Sequence, residues 1–423
     1  MIYNQNMKFN KIIAYFFVFV SLFACSNEKN FTLNFDENDT SIAIISDTHY
    51  LSKDLLDSDI NYDEINFVSD GRTIQYNTLL LDEMINKAIE EKVQYFIITG
   101  DLTFNGEKVS HIELASKLKK LHEHNIKPLV IPGNHDIYNF KARSYKEEIQ
   151  NVDYITIEDF KEIYKDCGYS NYYSYDLDSL SYIVETQNNE WLIMLDTTLS
   201  RYNLDEGMVL TGGYFSSLDW LRKNLQVAKE KNIECVVFSH HNLINHNPLF
   251  STLYDLSNKD ELISLYQEYQ IKLHFSGHLH IQDIKEQEGI YDIATSSLVD
   301  YGNRYGLLKM NNEGKEYLSK ELHFTLNDQS FSEYSENLFY QKGYNKFLNN
   351  YSYLGDDIAE TIADYQARVN TIYFNGKIYD NYRNLTREKA YSVAKEQIED
   401  FSESYLNSML EYGNNESCYL LVK

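Results

Sequence analysis

Five short apolar runs in this chain each stop at a cluster of Asp, Asn and His, and that punctuation limits the folds open to it. Ser41–Ser46 is rich in β-branched residues and runs into Asp47-Thr48-His49. Val93–Ile98 runs into Thr99-Gly100-Asp101, and Pro128–Ile131 into Pro132-Gly133-Asn134-His135-Asp136. Val236–Ser239 ends in His240-His241, and Leu273–Ser276 in Gly277-His278-Leu279-His280. Between the first three runs, Leu79–Glu90 and Glu107–His124 repeat apolar residues with a helical period. Further apolar runs follow at Trp191–Leu195 and Tyr291–Ala294. Strands alternating with helices of this length predict βαβ units around a largely buried sheet, an α/β fold.

In such a sheet, ligands bind beyond the carboxyl ends of the strands. Five separate segments are therefore expected to bring their polar residues to one edge. Each motif alone is weak, because Asp-x-His occurs by chance and Gly-Asp makes a good turn. Their conjunction is what carries chemistry. Imidazole and carboxylate suit Mn, Fe and Zn ions. Asp47-x-His49 and His278-x-His280 are each expected to send two side chains to one face, as alternate strand residues do. Gly100, Gly133 and Gly277 each precede a candidate ligand, where the backbone must turn sharply. Two ions about 3.5–4 Å apart are best clamped by a shared carboxylate, and Asp101 is the acid placed mid-array for it.

Taken together, Asp47-x-His49, Gly100-Asp101, Gly133-Asn134-His135-Asp136, His240 and Gly277-His278-x-His280 resemble the calcineurin-like metallophosphoesterase superfamily. The stretches Gly100–His111 and Gly133–Ile137 look most like those of bacterial cyclic-nucleotide-phosphodiesterase-like lipoproteins, several of which carry a C-terminal helical extension. The resemblance spans about residues 40–325 and implies a β-sandwich flanked by helices. It implies two divalent ions, Mn, Fe or Zn. One would be held by Asp47, His49, Asp101 and His280, the other by Asp101, Asn134, His240 and His278. Asp101 would bridge them. The family takes the first histidine after its strand, hence His240, with its neighbour His241 as the alternative. His135 would face the scissile phosphate as a catalytic group, with Asp136 orienting it. A hydroxide bridging the ions would attack phosphorus, so the expected activity is phosphodiester hydrolysis, with cyclic nucleotides as a possible substrate class. The alternatives are a phosphomonoesterase of the same fold and an inactive surface lipoprotein that only binds.

Four segments follow from the rest of the chain. Lys8 and Lys11 precede an apolar run from Ile12 to Ala24, with no acid before Glu28. The run ends in Leu22-Phe23-Ala24-Cys25, like a lipobox, so residues 1–24 are read as a lipoprotein signal peptide. Lipid on Cys25 would then tether the protein to a bacterial membrane from outside the cytoplasm. Residues 25–38 are polar and read as a tether, and 39–325 as the catalytic domain. Tyr391, Ala394, Ile398, Phe401, Tyr405 and Met409 recur at helical spacing, and Ile358–Val369 also reads as helix, so 326–423 is read as a C-terminal α-helical extension. Tyr50, Tyr138 and the stretch Asp300–Tyr305 are candidates for the substrate pocket, with Arg304 meeting a phosphate. Arg72, in a polar insertion, is a candidate for its entrance. His111, His122, His124 and His246 are expected not to be ligands. Of the 423 residues, 38 are Lys or Arg and 64 are Asp or Glu, a net charge of −26. That balance argues against nucleic acid as a partner and leaves small phosphate esters, since a bound cation reverses the local field. The oligomeric state is not readable.

Overall fold

The computed structural model describes residues 33–56, 71–146, 148–326 and 328–423. The signal-peptide, lipid-anchor and most tether readings lie outside them. Among the described residues the strands are, in chain order, β1 (Thr40–Ile45), β2 (Tyr95–Ile98), β3 (Lys127–Val130), β4 (Arg143–Tyr145), β5 (Ile149–Asn151), β6 (Ser174–Tyr175), β7 (Tyr182–Glu185), β8 (Glu190–Met194) and β9 (Glu234–Phe238). They continue with β10 (Leu273–Ser276), β11 (Asp283–Gln287), β12 (Ile290–Ala294), β13 (Arg304–Asn311), β14 (Gly314–Glu321), β15 (Thr325–Leu326), β16 (Gln329–Ser330) and β17 (Tyr419–Val422).

Two sheets carry the architecture. One has the order β17-β14-β13-β1-β2-β3 and the other β11-β12-β10-β9-β8-β7-β6. In the first, β1, β2 and β3 run parallel, and β13 closes against β1 antiparallel. In the second, β8, β9, β10 and β12 run parallel. The five strands that end in polar clusters thus all lie in the parallel parts of the two sheets, four of them inside and β3 at the edge of the first.

Strand alternation explains why the sheets face each other. Ile42 and Ile44 of β1, Tyr95 and Ile97 of β2 and Leu129 of β3 meet Leu192, Met194, Val236, Phe238, Leu273 and Phe275 from the other sheet. The intervening Ala43, Ile45, Phe96 and Ile98 turn outward onto the helices Asn77–Glu91 and Lys108–Glu123. On the far side, Trp191, Ile193 and Val237 pack under the helices Leu218–Lys231 and Lys259–Tyr269. Both faces of the central strands are therefore buried, which is why those strands read as continuous apolar runs. The result is a β-sandwich flanked by helices, with further helices toward the C-terminus. At about 1.5–3 kcal/mol for each fully buried large aliphatic side chain, these layers hold the strand ends rigidly.

Two features differ from the sequence reading. The stripe from Tyr391 to Met409 is not one helix. It breaks into helices Lys389–Gln397 and Tyr405–Tyr412, joined by a short turn in which Asp400 is left-handed. Also, the chain does not end in helix: β17 pairs with β14, Tyr317 opposite Leu420. The C-terminal segment is thereby stitched into the catalytic sheet, and Thr32–Lys423 forms one compact unit.

Candidate metal centre and active site

Every candidate ligand sits in a loop just past a parallel strand, and the loops are pinned to one another. The amide of Asp47 donates to Gly100 O (3.1 Å), that of His49 to Asp101 O (3.0 Å), and that of Gly277 to His240 O (2.9 Å). Close approach needs glycine at two points. A Cβ on Gly133 would lie 2.2 Å from the Asp101 amide nitrogen, and one on Gly277 1.9 Å from Ser46 Oγ.

The pairing within Asp47-x-His49 and His278-x-His280 does not come from strand alternation, as the spacing suggested. β1 stops at Ile45 and β10 at Ser276. Asp47 (φ 51°), His49 (φ 39°), Asp101 (φ 46°), His278 (φ 66°) and His280 (φ 61°) are all left-handed. Non-glycine residues in this region cost about 1–2 kcal/mol each, and such strain collects at functional sites. Here it folds successive side chains back into one cleft.

Two donor sets result. Asp47, His49, Asp101 and His280 each offer an atom within 4.8 Å of the others, and so do His240, His241 and His278. The first matches one expected ion site. In it, His280 Nε2 is 3.2 Å from Asp47 Oδ1 and 3.3 Å from His49 Nε2, while His49 Nε2 is 3.8 Å from Asp101 Oδ2. Asp47 Oδ1 and His49 Nδ1 are buried with no hydrogen-bond partner. Burial alone would depress the His280 ring, but the carboxylates of Asp47 and Asp300 outweigh it and raise it to about 9. Burial likewise opposes ionisation of Asp47, and His280 overrides it, holding the carboxyl well below its usual range.

In the second set the chemistry separates His240 from His241. His240 Nδ1 is 2.9 Å from Thr99 O, an acceptor only, so Nδ1 carries the proton and Nε2 presents a lone pair. That lone pair faces Asn134 Oδ1 at 3.1 Å and Asp101 Oδ1 at 3.5 Å. Three acceptors converge with no proton between them, and a cation fits there. His278 donates from Nε2 to Leu253 O (3.1 Å), leaving Nδ1 as its donor atom. His241 is differently placed: Nε2 donates to Thr211 O (3.0 Å) and Nδ1 meets the Thr197 hydroxyl (2.8 Å). The Thr197 hydroxyl can donate to the one lone pair left on this ring, whereas the His240 Nε2 lone pair faces oxygens that only accept, so His240 is the better ligand. Asp101 reaches both sets, Oδ2 toward His49 and Oδ1 toward His240.

His135 stands beside these sets with its side chain 29% exposed, and its Nε2 lies 3.9 Å from Asp101 Oδ2. Its Nδ1 donates to Phe104 O at 2.7 Å. The expectation that Asp136 orients this ring is corrected. The Asp136 carboxylate instead accepts from the amides of Gly133 (2.8 Å), Leu102 (3.1 Å) and Thr103 (2.9 Å). It turns back into the protein because the strand-end amides of two loops converge on it. Asp136 therefore positions the loops bearing Asp101 and Asn134, and the Phe104 carbonyl orients His135. Burial, with Asp101 nearby, raises the Asp136 carboxyl to about 7.

The remaining candidates divide. Asp300 belongs to the site, since His280 Nδ1 donates to its Oδ2 at 2.6 Å. Arg72 lines the same cleft and lies 3.8 Å from Asp300. Arg304 does not: it is buried against Ser319, Glu321 and Asn375. Tyr50 is buried too. His111 is a support, with Nδ1 2.9 Å from the Tyr164 hydroxyl and its ring held neutral by burial, down to about 3. His246 lies elsewhere, between Asp283 and Asp292. Sequence reasoning missed the far wall of the cleft, which comes from the helices Phe331–Tyr351 and Asp356–Phe374. Their spacing in sequence gave no signal of it. The cleft encloses about 680 Å³.

A two-sheet sandwich whose parallel strands end in His and Asp sets able to hold a metal ion is the frame of a metal-dependent hydrolase. The calcineurin-like phosphoesterase family matches residues 40–282, and the chain belongs to that family. It is a metal-dependent phosphoester hydrolase that uses divalent ions and acts on small phosphate esters. Among solved structures it is similar to a dimetal phosphatase from Danio rerio, at 15% identity and TM-score 0.48, covering 67% of this chain and 96% of that one. It is also similar to the anchor in the inner membrane complex of Plasmodium (13%, TM-score 0.39, 68% and 85%). A purple acid phosphatase from yellow lupin seeds is a further neighbour (9%, TM-score 0.41, 71% and 54%). No curated protein matches the chain.

Proposed function

We propose that the chain is a phosphodiesterase, with cyclic nucleotides within its substrate class. Two Mn, Fe or Zn ions would be held by Asp47, His49, Asp101 and His280, and by Asp101, Asn134, His240 and His278. One observation carries the reading: His240 Nε2, Asn134 Oδ1 and Asp101 Oδ1 meet lone pair to lone pair. When bound, the ions supply Lewis-acid polarisation of the phosphoryl oxygens and lower the pKa of an attacking water from 15.7 toward about 7. The protein supplies the rest. Asn134 offers its amide to the charge that grows on the equatorial oxygens. His135, fixed through Nδ1 and open to the cleft through Nε2, hands a proton or hydrogen bond to the leaving oxygen. Burial lowers the pKa of this ring, against the pull of Asp101, so the doubly protonated ring that gives a proton from Nε2 is favoured toward acid pH, and the neutral ring presents a lone pair there instead. Asp136 keeps the two loops in register.

The same proposal places the protein outside the cytoplasm, held to the membrane by lipid on Cys25. The sequence order of Lys8 and Lys11, then an apolar run, then Leu22-Phe23-Ala24-Cys25 supports it. Among the described residues no helix is long and apolar enough to cross a membrane. The test of function is turnover of bis(p-nitrophenyl) phosphate against p-nitrophenyl phosphate by metal-loaded protein. Preference for the diester is expected. Preference for the monoester makes the protein a phosphomonoesterase, and no turnover with both ions bound makes it a binding protein.

A further inference from the structure

Two of the expected ligands, His278 and His280, sit in a loop whose backbone is strained. Both are left-handed, at φ 66° and 61°, and such a pose persists only where the surroundings over-determine it. On one side the catalytic sheets supply the restraint, through Gly277 N to His240 O (2.9 Å) and His278 N to Asp47 Oδ2 (2.9 Å). On the other side it comes from the C-terminal segment. Leu279 and Ile281, which alternate with the ligands, are buried in an apolar cluster whose other buried members, Ile362, Tyr365, Leu406 and Met409 among them, all follow residue 326. Gln282 then closes the loop. Its amide donates to Phe374 O (3.1 Å), in the last turn of the helix Asp356–Phe374, and its Nε2 donates to Ser417 O (2.7 Å). Its Oε1 accepts from the Ser319 hydroxyl (2.9 Å) of β14. One buried residue thus joins the ligand loop, the catalytic sheet and two parts of the C-terminal segment. His278 is tied to the same helices by a second route. Its Nε2 donates to Leu253 O (3.1 Å), and the loop before Leu253 is fixed by the buried Asn247, whose Nδ2 donates to the hydroxyls of Tyr373 (3.2 Å) and Ser408 (3.1 Å).

We propose that Gln282 is a positioning residue through which the C-terminal segment holds His278 and His280 in the pose that receives the ions, so that ion binding and the docking of that segment are coupled. The inference rests on the assignment of these two histidines as ligands. Coupling runs in both directions by linkage: the docked segment raises ion affinity, and bound ions hold the segment docked. Gln282 touches no ion itself and acts through the loop that carries the ligands, as outer partners of a metal site do.

The probe is Mn²⁺ alone, titrated calorimetrically into the full chain and into Gln282→Met, which keeps nearly the volume of the side chain and removes its hydrogen bonds. The variant is expected to bind Mn²⁺ about 10- to 100-fold more weakly than the parent protein. A residue that only stabilised the fold would lower the denaturation midpoint of the ion-free variant and leave the Mn²⁺ affinity of the folded variant unchanged, and that result overturns the proposal. Amide hydrogen exchange reads the reverse direction. In the parent, Mn²⁺ is expected to slow exchange across residues 372–377 and 413–418 more than across the helix Leu218–Lys231, which has no member in the cluster around Leu279 and Ile281. That excess is expected to vanish in Gln282→Met. If the variant does not fold, the parent alone decides: excess protection of the two C-terminal stretches supports the coupling, and protection equal to that of Leu218–Lys231 refutes it. A parent that binds no Mn²⁺ fails the ligand assignment, and this proposal with it. A parent and variant that bind Mn²⁺ alike leave the ligands standing and remove only the role of Gln282.

Discussion

His280 donates from Nδ1 to Asp300 Oδ2 across 2.6 Å, which turns its Nε2 toward Asp47 and His49. The ligand atom is thus chosen by a residue twenty positions later in the chain. A carboxylate behind a ligating imidazole fixes the ring and raises its basicity. Asp300→Ala is therefore expected to weaken ion binding at the Asp47–His49–His280 set by about 10- to 100-fold. Metal titration by calorimetry reads this directly, and unchanged affinity would show that the contact is incidental.

His135 makes a different prediction, because it faces the cleft and contributes no atom to either donor set. His135→Ala should lower kcat by about 10²- to 10⁴-fold, the range of a lost general acid. Metal content should stay near that of the parent protein. Loss of ions from this variant would contradict the assignment.

Away from the cleft, His246 is clamped between Asp283 (3.0 Å) and Asp292 (3.5 Å), all three buried. Burial would lower the His246 ring, but the two carboxylates outweigh it and raise it to about 9. Both carboxyls are held below their ordinary value despite burial, mainly by His246. The sign follows from linkage. His246 takes up a proton more readily when folded, so its contribution is whole below about pH 6.5 and is lost as pH rises through about 9. The aspartates contribute above their unfolded pKa of about 3.9 and lose that contribution in acid. His246→Gln should cost about 3–5 kcal/mol near neutrality, the usual penalty for orphaning a buried charge partner. Denaturant unfolding across pH 6–10 should show the gap to the parent protein closing toward the alkaline end. A gap that does not change with pH would mean the ring is not charged in the fold.

The sequence exposed most of the sheet and nearly all of the cluster, for a physical reason. Strands buried on both faces read as unbroken apolar runs, as β1, β2, β9 and β10 do, and a polar residue at their ends stands out. How the ligands converge was not legible. Left-handed φ at Asp47, His49, Asp101, His278 and His280 depends on loops that hydrogen-bond across the sheet, and alternation along one strand gives a false picture of them. Asp136 was misread for a related reason: its partners are amides from another loop, which no local spacing reveals.

The C-terminal helices hid their role more thoroughly. Leu279 and Ile281 alternate with the ligands His278 and His280, and they pack into the same apolar cluster as Ile362, Tyr365, Leu406 and Met409. The helical stripe therefore reads as ordinary core, which it is. Its consequence for the cleft appears only when Leu279 is seen to sit between two ligands. Likewise β17, as long as β2 and β3, follows a helical stretch with no polar cluster at its end to mark it, and its partner β14 lies about a hundred residues earlier in the chain.

The most direct test is the number of divalent ions bound per chain in the parent protein and in Asp101→Asn, by elemental analysis after saturation and desalting. The parent should retain two ions. Asp101→Asn weakens both donor sets at once, so it should retain less than one and lose diester hydrolysis. A parent protein holding no more than one ion, or an Asp101→Asn protein that keeps two with undiminished turnover, would contradict a centre bridged by that carboxylate.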